Sequence, residues 1–175
     1  STDTFTSAGW NHMAVVFDDD NATNCEIYIN GVANSATKTG TLGNVGVLSQ
    51  SAAITIGFNT SASNYFDGKL DEPRIYKRAL SGGEIKALYD QGQADATNTG
   101  KSQAQGTGRL DSGLAGYWKL DDGSGTSATD SSTNGNTGTL PVAPGGPTWT
   151  TGQIGGAVNF DGSDDYITVP NSNPL

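Results

Sequence analysis

Cysteine, methionine and histidine each occur only once in these 175 residues. A lone Cys25 can close no intramolecular disulfide, so the fold must be held by packing or by a bound ion rather than by a covalent framework. The flanking sequence TNCEIYI reads as a strand, in which this thiol is expected to be buried and inert. Basic residues are also scarce: nine Lys and Arg stand against eighteen Asp and Glu, a formal net charge of −9. Such a balance repels phosphate backbones and anionic membrane surfaces, which argues against nucleic acid as a partner. No run approaches the ~20 apolar residues that a membrane helix needs, and the first residues show no basic stretch leading into an apolar one. Membrane insertion is therefore not expected. Phosphate-binding loops, dinucleotide fingerprints, zinc-ligand spacings and serine-nucleophile motifs are absent as well.

Glycine, by contrast, occurs 25 times, and 34% of the chain is hydrophobic, which suits a turn-rich all-β protein with a sizeable core. Alternation is cleanest at Cys25, Ile27 and Ile29, which share one strand face, with Glu26, Tyr28 and Asn30 on the other. Asn30-Gly31 then supplies a type I′ hairpin turn. Further strands are expected over 12–17, 53–58, 69–76, 114–120, 139–140, 157–160 and 166–169. Pro73 removes a ladder donor, so the strand containing it should lie at an edge or a bulge. Only one helix is convincing. Ser81 can cap it, Glu84 completes a capping box, Ile85, Leu88 and Tyr89 fall at helical spacing, and Gly92 is expected to end it. Residues 91–112 hold Leu110 as their only large apolar side chain and read as a linker.

The segments GWNHMAVVFD, EIYINGV, ITIGFN and FDGKLDEPRIYKRALSGGEIKALY, in that order, resemble the C-terminal half of a laminin-G-like domain of the concanavalin A-like lectin and glucanase fold. GLAGYWKLDDGSGTSATDSSTNGNTGTL and GGAVNFDGSDDYITVP resemble its opening half. The resemblance implies an all-β, antiparallel jelly-roll sandwich with one short helix, its halves written in reverse order. Residues 1–90 form the back half, 91–112 the linker and 113–175 the front half. Two organisations fit. The chain is either a stretch of a tandem array, spanning the end of one repeat and the start of the next, or a permuted sandwich whose halves close on each other. An array would leave strand edges that drive head-to-tail pairing between chains.

The acidic loop with Asp121, Asp122, Asp130, Asn134 and Asn136 offers the oxygen donors that Ca²⁺ prefers, and its glycines let it fold inward. The resemblance adds Asp71, which matches the family's metal-binding aspartate just before the last strand. The expected Ca²⁺ ligands are thus Asp71, Asp121, Asp130 and Asn136. The acidic groups at 18–21 and at 161, 164 and 165 read as turns. Glycosidases of this fold carry an E-x-D-x-x-E strand, which is missing, and His12 sits where the family places a structural Trp-x-His pattern. No catalytic residues and no enzymatic activity are expected. Trp10 and Trp118 occupy core positions, which leaves Tyr65 and Trp149 as the aromatics that could stack on a sugar ring. The expected function is a non-catalytic, calcium-stabilised carbohydrate-binding or adhesion module. It would work at a bacterial cell surface or in secretion and meet carbohydrate or a cell-surface protein. The alternatives are a structural repeat that assembles head to tail and an accessory domain of a polysaccharide-degrading enzyme.

Overall fold

A computed structural model describes residues 9–17, 25–34, 53–59, 63–97, 110–142 and 145–170. The acidic group at 18–21, the Cys25 side chain and most of the expected linker lie outside the described residues. The chain divides into two units, and each draws on two separate stretches of sequence: residues 1–48 with 78–112, and residues 49–77 with 113–175.

In the first unit, β1 (Met13–Phe17), β2 (Cys25–Ile29) and β3 (Val32–Asn34) form an antiparallel sheet in chain order. The turn between β2 and β3 is the expected one, with Asn30 at φ 52° and Gly31 at φ 77°, the two left-handed residues that a type I′ turn requires. The Asn30 side chain also ties the turn back toward β1 by accepting the His12 N–H at 2.9 Å.

Helix α1 (Gly82–Thr97) opens on the expected capping box. The Ser81 hydroxyl accepts the Glu84 N–H at 3.3 Å, and the Glu84 carboxylate accepts the Ser81 N–H at 2.9 Å. Arg78, at 2.8 Å from Glu84, is the foremost cause holding that carboxyl down to about 2. Ile85 and Leu88 are buried. Gly92 does not end the helix, which continues to Thr97 into the segment expected to be a linker. A mid-helix glycine costs only about 1 kcal/mol relative to alanine. The good helix formers Gln91, Gln93, Ala94 and Ala96 around it offset that cost. The Thr97 hydroxyl then donates to the carbonyls of Gln93 and Ala94 at 3.2 and 2.9 Å.

The second unit contains β4 (Ile54–Ile56), β5 (Phe58–Asn59), β6 (Asn64–Tyr65), β7 (Asp67–Leu70) and β8 (Arg74–Tyr76) from its first stretch. Its second stretch adds β9 (Leu114–Tyr117), β10 (Ser127–Ala128), β11 (Gly138–Thr139), β12 (Thr148–Thr151), β13 (Gly156–Asp161) and β14 (Ile167–Val169). The sheets are β10-β11-β14-β4, β12-β13-β7, β5-β6 and β8-β9, every pairing antiparallel. Strands of both stretches therefore share sheets: β4 lies on β14, β7 on β13 and β8 on β9. Trp118, Leu120, Leu140, Phe160, Ile167 and Val169 head a buried core onto which Ile54, Ile56, Leu70, Ile75 and Trp149 pack. Each such side chain contributes about 1.5–3 kcal/mol when fully buried.

Two expected strands are broken, for backbone reasons. Gly57, at φ 90°, divides β4 from β5, and a Cβ there would overlap the Phe160 ring. Between β7 and β8 the chain leaves one sheet and enters another at Asp71-Glu72-Pro73. Pro73 donates no ladder hydrogen bond and Glu72 adopts φ 58°, so the run 69–76 cannot continue as one strand. β12 was not anticipated, because its sequence TWTT lacks the alternation that marks the other strands.

Candidate functional site

The sheet change at Asp71–Pro73 builds the site. Leaving the ladder swings Asp71 toward the turn that joins β12 to β13, where Asp71 Oδ2 accepts the Ile154 N–H at 2.9 Å. Its other oxygen, Oδ1, is buried and has no hydrogen-bond partner. Two residues further along the turn, Gly156 donates its N–H to Asp121 Oδ1 at 2.5 Å, so two amides of one turn position both carboxylates. Leu120, just before Asp121, sits at φ 59°, an unfavourable value for a branched side chain.

The turn can approach this closely because it is nearly side-chain-free. A Cβ on Gly152 would overlap the Gly156 carbonyl oxygen and stand 2.6 Å from Asp71 Oδ2. One on Gly156 would stand 2.7 Å from the Leu120 carbonyl oxygen, and one on Gly155 would overlap Asp121 Oδ1. Gly155, at φ 67°, also needs the left-handed conformation.

Asp71, Glu72 and Asp121 form an acidic cluster at this corner. Burial is the main cause that pushes the Asp71 carboxyl up to about 6, and the negative charges of Glu72 and Asp121 add to it against the opposing Ile154 and Gln153 amides. Glu72 is likewise raised, chiefly by burial, although the Tyr117 hydroxyl and Arg74 oppose the rise. Arg74 lies 2.8 Å from Glu72 Oε2, and its guanidinium covers the Tyr117 ring at 4.1 Å. The Tyr117 hydroxyl donates to the same Glu72 oxygen. Glu72 Oε1, like Asp71 Oδ1, is buried without a partner. Desolvated carboxylate oxygens left unpaired cost free energy, and a hard cation would remove that cost.

The other two residues expected in the cation set lie elsewhere. Asp130 is a structural acceptor beside β9. Oδ1 takes the N–H groups of Tyr117 and Ser132 at 3.0 and 2.8 Å, and Oδ2 takes the Asn136 N–H at 2.7 Å and the Ser132 hydroxyl at 2.8 Å. Burial alone would raise its carboxyl, but these donors together hold it below the ordinary value. Asn136 is buried, donates from its side chain to the Ala115 carbonyl at 3.0 Å, and offers its own carbonyl to Trp118 Nε1 at 2.8 Å. Asp71 and Asp121 thus converge on the Gly152–Gly156 turn, while Asp130 and Asn136 bind the loop after β9 to the core.

Among the described residues, Asp161, Asp164 and Asp165 hold carboxylate oxygens within 4.8 Å of one another. Asp165 accepts the Asp161 N–H at 2.8 Å and Asp161 accepts the Ser163 N–H at 2.9 Å, the internal bonds of a turn.

Tyr65 stacks on Phe58 across the β5-β6 pair, with ring centroids 4.4 Å apart and planes 18° from parallel, and Tyr166 lies 6.1 Å from Phe58. Trp149 instead packs on the core and donates its indole N–H to the Gly125 carbonyl at 2.8 Å. The parts of the site that sequence reasoning missed are backbone groups and glycines: the Leu120 carbonyl and the Gly152, Gly155 and Gly156 turn. The density of glycine around Gln153-Ile154 was the available signal.

Residues 1–86 match a family model described as the concanavalin A-like lectin/glucanases superfamily. No curated protein and no solved structure matches the chain. No helix among the described residues is long and apolar enough to cross a membrane. Laminin-G-like domains are generally non-catalytic binding modules, and the antiparallel sheets, with one helix among the described residues, are consistent with the sandwich architecture of the matched family. Over residues 1–86 the chain is therefore similar to the concanavalin A-like lectin/glucanases superfamily, which supports a carbohydrate-binding or adhesion-type module.

Proposed function

We propose that this is a calcium-stabilised, non-catalytic recognition module that meets carbohydrate or a cell-surface protein outside the cell. The observation that carries the cation half of this reading is the buried, unpartnered Oδ1 of Asp71 beside a second carboxylate and a glycine-lined turn. Asp71 and Asp121, with backbone carbonyls near Leu120 and Gly156, would hold the ion. Oxygen donors on irregular backbone suit Ca²⁺, which accepts flexible coordination by carboxylates and carbonyls. The ion would supply positive charge that offsets the repulsion among Asp71, Glu72 and Asp121, and would lock the β7-β8 corner to the β12-β13 turn. A site with two carboxylates fits the weak affinity of extracellular modules, with a Kd of about 10⁻⁴ to 10⁻³ M. That range accords with a secreted or cell-surface setting.

The recognition half rests on the family match over residues 1–86 and on the Tyr65-Phe58 stack, which offers an aromatic edge for a sugar ring. Trp149 is the weaker candidate, since its indole is already engaged by Gly125. Calorimetric titration with Ca²⁺ should give one site that Asp71→Asn removes; no heat of binding at millimolar Ca²⁺ overturns the cation reading. A glycan array, probed in Ca²⁺ and again in chelator, tests recognition. Binding to one sugar class that Tyr65→Ala weakens about tenfold supports it, and silence from folded, calcium-loaded protein moves the function to protein-protein adhesion.

A further inference from the structure

The core of the second unit is unequally divided between the stretches that build it. The eight buried members of its core cluster among the described residues, from Trp118 to Val169, all belong to residues 113–175. Among the described residues of 49–77, Ile54, Ile56, Leu70 and Ile75 are partly buried and pack over that core. The first stretch is a cover of short strands, and the second is the body it covers.

Three antiparallel pairings join cover to body. β4 runs on β14 from Ile54↔Val169 to Ile56↔Ile167, β7 on β13 from Leu70↔Val158 to Asp67↔Asp161, and β8 on β9 from Arg74↔Tyr117 to Tyr76↔Leu114. Side-chain and loop contacts fix the register: Ile154 to Asp71, Tyr117 to Glu72, and the Trp118 N–H to the Pro73 carbonyl at 3.0 Å. A slip by one residue would turn Leu70 and Ile56 away from the core, so register is strongly specified. Every one of these contacts is made between residues 53–77 on one side and 113–169 on the other. The covalent connection, residues 78–112, belongs to the other unit. It leaves at Lys77 and returns at Gly113, whose carbonyl accepts the Lys77 N–H at 2.8 Å.

We infer that the cover is exchangeable between molecules: residues 49–77 of one chain can complete residues 113–175 of a second copy, in the same register. The exchanged and unexchanged forms contain the same contacts, so their balance depends on the connection alone. The covalent connection gives the two stretches of one chain a fixed effective concentration for each other, whatever the bulk concentration. Dilute chains therefore close on themselves, and concentrated chains that fold together exchange.

Single-cysteine full-length chains test this. With Cys25→Ser in every chain, one carries Lys69→Cys and the other Asn159→Cys, a pair of directly opposed residues. Opposed residues in an antiparallel pair stand within disulfide reach. Neither chain alone can form an internal disulfide. The two are unfolded, mixed, refolded in chelator over a range of concentrations, oxidised and separated without reductant. Exchange predicts a covalent heterodimer whose ratio to monomer rises roughly tenfold for each tenfold rise in chain concentration at low conversion, by mass action. It also predicts that heterodimer will exceed either homodimer by at least about tenfold, since 69–69 and 159–159 contacts do not occur in this register. Equal yields of heterodimer and homodimers at every concentration overturn the inference. Asp67→Cys with Asp161→Cys, an opposed pair of exposed residues, repeats the test if Asn159→Cys fails to fold. A chain carrying both Lys69→Cys and Asn159→Cys should close internally when dilute, and its failure to do so would overturn the register on which the inference stands.

Discussion

Replacing Asp71 by asparagine should stabilise the protein in chelator and destabilise it in calcium. The carboxyl stands at about 6 in the fold against an ordinary 3.8. The folded chain thus binds this proton more tightly than the unfolded chain does. The stabilisation from the bound proton is complete below about pH 3.8 and is lost as pH rises through about 6. A displacement of that size corresponds to about 3 kcal/mol. Asp71 is only half-buried, and solvent screening reduces the figure to about 1–2 kcal/mol. In chelator at neutral pH, Asp71→Asn removes the ionised group at nearly constant volume and should recover that amount. Below about pH 4 wild type and variant should converge. Saturating calcium reverses the order: at a concentration a hundredfold above Kd, binding stabilises the wild type by about 2.7 kcal/mol. For a chain of this size that is a rise in Tm of about 5–10 °C. The assay is thermal unfolding of both proteins from pH 4 to 8, in chelator and in 10 mM CaCl₂. Wild-type melts that superimpose with and without calcium, or a variant less stable than wild type in chelator at pH 7, would refute the reasoning.

Gly152→Ala should lower calcium affinity at least about tenfold in a calorimetric titration, because the added methyl would collide with the Gly156 carbonyl and crowd Asp71. Trp118→Phe removes a fully buried indole and strands the Asn136 carbonyl, and should cost about 2–3 kcal/mol in urea unfolding with little change in the m-value. Asp130→Asn replaces a carboxylate that accepts three backbone N–H groups and should cost about 2–3 kcal/mol at pH 7. Since the Asp130 carboxyl is held below its ordinary value in the fold, its stabilisation is present above that value and lost as pH falls through the lowered one. The difference between wild type and Asp130→Asn should accordingly shrink in acid.

Local rules were legible wherever neighbouring residues decide the outcome. The Asn30-Gly31 turn and the Ser81/Glu84 capping box each depend on groups a few residues apart, and both stand as expected. Trp118 was legible as core and is fully buried. Reading failed where a distant contact outweighed a local signal. Gly92 carries a stop signal but lies within a helix, and Thr148–Thr151 pairs as a strand because β13 lies beside it. The four acidic and amide residues expected to share a cation were alike in sequence, as Asp, Asn and Gly fill turns and metal loops equally well. Only their distant partners tell them apart: Asp71 and Asp121 accept amides of the Gly152–Gly156 turn, whereas Asp130 accepts those of Tyr117, Ser132 and Asn136.

The sequence by itself determined the class of fold, the family resemblance, the acidic character, and Asp71 as a candidate site residue. Each follows from composition, alternation or short-range motifs. The tertiary structure alone decided which carboxylates meet and which strands pair. Asp71 and Asp121 lie fifty residues apart in the chain and meet only through the Gly152–Gly156 turn. β7 finds β13 across nearly ninety residues of sequence. Long-range pairing is set by the burial of one shared core, whose energy depends on all of its members together.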